Sequence, residues 1–315
     1  MAMELEGTPK TDTERAAAIN RNLAEIDRIA EQMRKSEAAK AAYFAEREAE
    51  DAAAKAEGAM PETTSAIIAR ALAHFPAAPV NQPVRLSVLM PVYNEEETVE
   101  RIIAEVLSLP LVLELIVVDD GSTDRTRLRL HALEAEHNAR LKIVYAAKNA
   151  GKGAAIRAAL AHATGDVVVV QDADCEYDPR DFLPMLERIG AGAAIVYGTR
   201  LSHEASRLND EGPRNKFYYA RRLLPWLTNL LFGTQVTDEA TCYKMFRRDV
   251  LQSIPLRCER FDFCPEVTAK AIKRGYKIYE TPIHYRPRTE SQGKKIGWRD
   301  AVDAAWALLK FRFVD

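Results

Sequence analysis

Val167-Val168-Val169-Val170-Gln171-Asp172-Ala173-Asp174 decides how this chain is read. Four consecutive β-branched residues make a strand that is apolar on both sides, and such strands occur in parallel sheets covered by helices on both faces. In open α/β sheets, ligands bind beyond the carboxyl ends of the strands. This strand ends there in two aspartates one residue apart. Two anionic side chains at a sheet edge need a partner. A hard divalent cation that also touches phosphate suits them, since Mg²⁺ is commonly held by one or two carboxylates plus substrate oxygens. The stretch points to an enzyme that handles a nucleotide diphosphate.

Working outward, the chain alternates strand and helix patterns from residue 84. Strands are predicted at 85–90, 113–118, 141–146, 167–171 and 194–197, and helices at 95–108, 123–136, 152–163 and 180–189. Strands separated by helices of this length imply βαβ units and a mostly parallel, Rossmann-like sheet flanked by helices. Asn94 with Glu97 has the spacing of a capping box at the first helix, and Ser122 is placed to cap the second. After Gly198 the pattern turns irregular, with more arginine and aromatic residues, and that half is expected to hold the second substrate.

The first 83 residues differ in character. Residues 1–58 are rich in Ala, Glu, Lys and Arg, and Ile19, Leu23, Ile26, Ala30 and Met33 follow heptad-like spacing until Glu37 and Lys40 fall on the seam. An arm that joins copies of the chain and a solvated helix are both open readings. A short amphipathic helix carrying Ile67, Ile68, Leu72 and Phe75 follows, then a linker with prolines at 76, 79 and 83. The predicted organisation is a helical N-terminal extension over 1–83 and a catalytic domain over 84–315. That domain divides into a nucleotide-binding half (84–200) and an acceptor-binding half (201–315).

Composition excludes several classes. A net charge of -2 gives no basic face for nucleic acid. The four cysteines form no CxxC pair and no zinc spacing, so free thiols in a reducing cytosol are expected. The first residues lack a basic region followed by an apolar run, and no apolar run approaches the ~20 residues that span a bilayer. Membrane contact, if it occurs, is therefore expected to be peripheral.

Four loops follow the ends of the first four strands: Pro91-Val-Tyr-Asn-Glu95, Asp119-Asp-Gly-Ser-Thr-Asp124, Lys148-Asn-Ala-Gly-Lys-Gly153 and Asp172-Ala-Asp174. In a parallel sheet they share one edge, so scattered stretches become one site. Asp119-Asp-Gly-Ser alone reads equally well as a capping turn. The Lys148–Gly153 loop fails the phosphate-loop pattern, with Ala146 at the first Gly position and Gly153 in place of the Ser or Thr that would hold magnesium. Its glycines still suit a backbone that approaches phosphate at a helix N-terminus.

Together these loops resemble family 2 glycosyltransferases of the GT-A fold. Thr237-Asp-Glu-Ala-Thr-Cys-Tyr-Lys244 and Tyr285-Arg-Pro-Arg-Thr-Glu-Ser-Gln-Gly-Lys-Lys295 are similar to the dolichyl-phosphate mannosyltransferase-like branch, over residues 84–313. The resemblance implies an inverting transfer of a hexose, mannose or glucose, from a GDP- or UDP-sugar to a polyprenyl phosphate at the cytoplasmic face of a membrane. It implies that Pro91, Tyr93, Glu95, Asp119 and Asp120 line the base and ribose pocket, with Lys152, Asp172 and Ala173 also contacting the nucleotide sugar. Asp172 and Asp174 would meet Mg²⁺ or Mn²⁺, joined by Glu176 where the mannosyltransferases carry Gln. Arg200 would approach phosphate, and Arg286, Arg288, Lys294 and Lys295 would close over phosphate and acceptor. Asp238 would serve as general base toward a hydroxyl acceptor. A phosphate acceptor is already largely ionised and needs little or no base, which leaves Asp238 orienting the acceptor or an arginine. A helix cap is its structural alternative. Glu266 and Asp262 face the sugar or serve structure.

Two apolar segments stand apart. Residues 217–232 are aromatic and leucine-rich with interleaved arginines, which suits the acceptor or a lipid surface. The stripe Val302, Ala305, Trp306, Leu309 and Phe313 is expected to pack on the protein.

Overall fold

A computed structural model describes residues 85–135, 139–202, 205, 216–288 and 298–314. The N-terminal extension, with the expectations placed on it, lies outside the described residues, as do Lys294 and Lys295. The elements run β1 (Leu86–Val92), α1 (Val99–Leu107), β2 (Val112–Asp119), α2 (Thr126–Ala135), β3 (Leu141–Tyr145), α3 (Lys152–Leu160), β4 (Val167–Val170), α4 (Phe182–Gly190) and β5 (Ile195–Thr199). They continue with α5 (Lys216–Phe232), β6 (Lys244–Arg247), α6 (Arg248–Ser253), α7 (Phe263–Lys273), β7 (Ile278–Pro282) and α8 (Trp298–Phe313).

The seven strands form one sheet in the order β3-β2-β1-β4-β6-β5-β7. Only β6 runs antiparallel to its neighbours, β4 and β5. Two antiparallel steps restore direction, so β5, and β7 parallel to it, end at the same edge as β1 to β4. The mostly parallel sheet expected from the alternation is the one observed.

The β-branched run behaves as its composition dictates. Val167 and Val169 join the core on one side of the sheet, and Val168 and Val170 join the core on the other. Leu115 and Val117 of β2 likewise face one side, and Ile116 and Val118 the other. Burying each such side chain contributes about 1.5–3 kcal/mol. A strand buried on both faces cannot slip its register without moving its apolar set, so the acidic residues after β4 are held at a defined point on the edge.

Two helix starts differ from expectation. The first helix begins after Thr98 rather than at Asn94. Asn94 instead adopts a left-handed backbone with φ of 51°, and its Oδ1 accepts a hydrogen bond from the Thr123 amide at 2.8 Å. At the second, Asp124 Oδ1 accepts from the Thr126 amide, while Ser122 Oγ accepts from the Asn94 amide. Both residues were captured by cross-loop bonds that local propensity does not see. Among the described residues, no helix is long and apolar enough to cross a membrane.

Candidate active site

The loops after β1 and β2 are stitched together before any ligand arrives. The Asp120 amide donates to the Val92 carbonyl at 2.8 Å, and the Glu95 amide donates to Thr126 Oγ1 at 2.8 Å. Asp120 then holds the third loop, its carboxylate accepting from the amides of Ala150 and Gly151 at 2.8 and 2.7 Å. Gly151 has φ of 94°, and a Cβ there would strike the Glu259 carbonyl oxygen, so only glycine lets the loop pack so closely.

These loops wall a cleft of about 480 Å³. Of the residues expected to contact ligand, Pro91, Tyr93, Glu95, Asp120, Lys152, Asp172, Ala173, Asp174, Glu176 and Arg288 line it. The tertiary structure adds Asn149, Arg260, Phe261 and Tyr285. Arg260 and Phe261 come from the turn before α7, where the Arg260 amide donates to Asp262 Oδ1. The sequence signal for them was weak, an exposed Arg-Phe pair at a helix start. Asp262 itself closes that turn. Glu266 is buried, paired with Lys270 and accepting from the Arg257 and Cys258 amides, so neither serves as a sugar contact.

Electrostatics concentrate at the end of β4. Lys152 Nζ lies 2.5 Å from Asp172 Oδ1 and 2.9 Å from Cys242 Sγ. Burial alone would lower the lysine pKa, but the Asp172 carboxylate overrides it and keeps the ammonium charged. Asp174 is pushed up to about 7, first by burial and then by repulsion from Asp172 and Glu176. A carboxyl held in that state gains most from an added positive charge. Asp172 and Asp174 therefore fit a hard divalent cation, with donor oxygens completing its shell.

Glu176 lines the cleft but is also engaged within the protein. Its two oxygens accept from the Tyr285 hydroxyl and the Arg288 amide, each at 2.7 Å. Among the described residues, no group of three His, Cys, Asp or Glu side chains is arranged to hold a metal ion. Arg288 instead binds the rim together, donating to the Asp174 carbonyl and to Glu95 Oε2 at 2.8 Å each.

Four other expectations need correcting. Asp119 is fully buried behind the cleft, its oxygens accepting from the Ser122 amide and Arg127, so it braces the loop rather than touching ligand. The N-terminus of α3 is not open to phosphate, because the Gly153 and Ala154 amides donate to the carbonyls of Arg260 and Glu259. Arg286 is exposed and does not line the cleft. Asp238 is fully buried and grips Arg200, which leaves neither group facing the cleft. Burial works to raise the Asp238 pKa, yet the guanidinium wins and holds it below the usual carboxylate range. A buried carboxylate with both oxygens engaged cannot take a proton from an acceptor.

The comparisons agree with this architecture. Dodecaprenyl-phosphate galacturonate synthase of Rhizobium johnstonii is 27% identical over 231 residues, covering 70% of this chain and 65% of that protein. Undecaprenyl-phosphate 4-deoxy-4-formamido-L-arabinose transferase of Salmonella dublin is 27% identical over 225 residues, covering 70% and 64%. The chain thus spans a little under two thirds of the length of these relatives. Glucosyl-3-phosphoglycerate synthase from Mycobacterium tuberculosis, solved with Mn²⁺, UDP and phosphoglyceric acid, superposes with a TM-score of 0.54 at 24% identity, covering 81% of this chain and 85% of its own. That likeness bears on the fold alone and supports the GT-A assignment. The family model described as glycosyl transferase family 2 matches residues 87–254, more than half of the chain, from the second residue of β1 to the residue after α6; this protein belongs to glycosyl transferase family 2.

Proposed function

We propose that this protein transfers a sugar from a nucleoside diphosphate to a polyprenyl phosphate. The observation that carries the reading is the cleft itself. Asp120, Lys152, the Asp172–Asp174 pair and Arg288 arrive from four stretches of chain at one sheet edge, and the two relatives compared by sequence are named for prenyl-phosphate acceptors.

Pro91, Tyr93, Glu95 and Asp120 form the side of the cleft suited to base and ribose. Asp172 and Asp174 would hold Mg²⁺ or Mn²⁺, which when bound supplies positive charge against the diphosphate leaving group. Lys152, fixed by Asp172, adds a cation beside the same carboxylates. Such preorganised charge is worth most where the bond to the sugar breaks and negative charge accumulates on the diphosphate. Arg288 fastens the rim by tying Glu95 to the Asp174 backbone. The configuration at the anomeric carbon inverts if the acceptor attacks in a single displacement, opposite the diphosphate.

The state of Asp238 favours a phosphate acceptor over a hydroxyl. A phosphate monoester has a second pKa of about 6 and arrives largely ionised. It needs no general base, and the described part of the site offers none at Asp238. Arg200, positioned by Asp238 and 4.7 Å over the Tyr285 ring, is a cation held behind the cleft wall, where it braces the cleft-lining Tyr285.

The test is a transfer assay with UDP- and GDP-sugars against a polyprenyl phosphate and against a hydroxyl glycolipid, with Mn²⁺ and with chelator. The galacturonate and aminoarabinose derivatives named for the relatives join mannose and glucose in the donor panel. Product on the lipid phosphate, lost with chelator, supports the reading. Product only on the hydroxyl acceptor overturns it.

A further inference from the structure

Among the described residues, eight of the eleven exposed large apolar side chains lie on α5, on α8 or on the residue after α8. Single exposed apolar residues are ordinary, but this concentration on two packed helices is a patch. On α5, Leu223, Trp226 and Leu230 recur at helical spacing and are 57%, 59% and 65% exposed. On α8, Val302, Trp306, Leu309 and Phe313 do the same, with Trp306 67% and Phe313 81% exposed. These are not the core-facing sides. Leu224 and Thr228 are the buried face of α5, and Ala307, Leu308 and Phe311 are the buried face of α8. The stripe expected to pack on the protein is therefore the outward one.

The charges around the patch have one predominant sign. Among the described residues, Arg222, Lys310 and Arg312 are exposed there, against Asp303. A basic rim around tryptophan, leucine and phenylalanine repels a second copy of itself and complements an anionic interface. The patch is also joined to the site. The Asn229 side chain of α5 exchanges two hydrogen bonds of 2.9 Å with the Val236 backbone, two residues before Asp238 and its partner Arg200.

We propose that the outward faces of α5 and α8 form a docking surface for an anionic lipid bilayer, lying in the interface plane without crossing it. This deepens the acceptor reading, on which it rests for choosing a membrane as occupant, because a prenyl-phosphate acceptor resides in one. The surface itself can be read without donor or acceptor, so its failure and the failure of the acceptor reading are distinguishable.

The experiment uses the full chain and vesicles of phosphatidylcholine with or without phosphatidylglycerol. All three tryptophans of the sequence lie on α5 and α8, so intrinsic fluorescence reports these helices directly. The expected result is flotation with the anionic vesicles, a blue shift in emission, and weakening in raised salt. A Trp226→Glu/Trp306→Glu variant, judged folded by its melting curve, should bind about tenfold more weakly or worse. Leu128→Glu, at an exposed apolar position on α2 outside the patch, should bind as the parent does. A parent that stays in solution with anionic vesicles at low salt overturns the proposal. So does a Trp226→Glu/Trp306→Glu variant that floats unchanged. A parent dimer that this variant splits, with no vesicle binding, assigns the surface to a second copy and also overturns it.

Discussion

The Arg200 guanidinium and the Asp238 carboxylate form a two-armed ion pair sealed from solvent, Nε to Oδ2 at 2.7 Å and a second nitrogen to Oδ1 at 2.8 Å. Arg200 also donates its backbone amide to Asp238 at 3.0 Å and a third side-chain nitrogen to the Tyr177 hydroxyl at 3.0 Å. The pair joins the end of β5 to the loop before β6.

Breaking that pair should cost more stability than chemistry. Asp238→Ala leaves a buried guanidinium without its counter-charge, which costs about 3–5 kcal/mol and a melting-temperature drop of roughly 10 °C. Asp238→Asn, if it folds, should keep the acid limb of the pH–rate profile on a lipid-phosphate acceptor. Loss of that limb in Asp238→Asn would restore the general-base role.

Asp174→Ala should lower kcat/KM by about 10³-fold or more, because it removes both a carboxylate and the cation held there. Arg286→Ala, at an exposed position outside the cleft, should cost less than tenfold, in keeping with a peripheral contact. Steady-state kinetics give the order, and the reverse order counts against the metal assignment. The same Asp174 variant should lose any Mn²⁺-dependent rise in melting temperature with nucleoside diphosphate.

Arg288→Lys should not rescue Arg288→Ala. The arginine fork reaches the Asp174 carbonyl, Glu95 Oε2 and Thr98 Oγ1 together, and an ammonium cannot span them. Both variants are expected to raise the donor KM by about tenfold to a hundredfold, as one or two charge-assisted bonds at about 1.5–3 kcal/mol each would. Titration of donor dependence against a constant acceptor checks this.

Glu239 makes stability depend on pH. Both its carboxyl oxygens are sealed from solvent, and burial pushes its pKa up to about 8 against the pull of Lys244 and Thr268. The folded state therefore binds this proton more tightly than the unfolded state does. Its stabilising effect is complete below the unfolded value near 4.5 and is lost as pH rises toward 8. Urea denaturation at pH 6 and pH 8.5 should show the parent losing stability relative to Glu239→Gln. A constant difference between the two proteins would sink this account.

The sheet and the location of the cleft follow from the local residue pattern. An all-apolar β4 can be stable only between two cores, and strand–helix alternation with short loops leaves parallel strands whose ends meet at one edge. That is why Pro91, Asp120, Lys152, Asp172 and Asp174 are legible as one edge of the sheet from the sequence. How each polar group is paired depends on contacts between distant parts of the chain. Asp119, Glu176 and Asp238 are carboxylates of the right type in the right loops, yet each is already satisfied by Arg127, by Tyr285 and Arg288, and by Arg200. Those partners come from up to 112 residues away in the chain. Local spacing encodes which residues reach the edge; long-range hydrogen bonding, which costs less than leaving a buried charge unpaired, decides what each of them is paired with there.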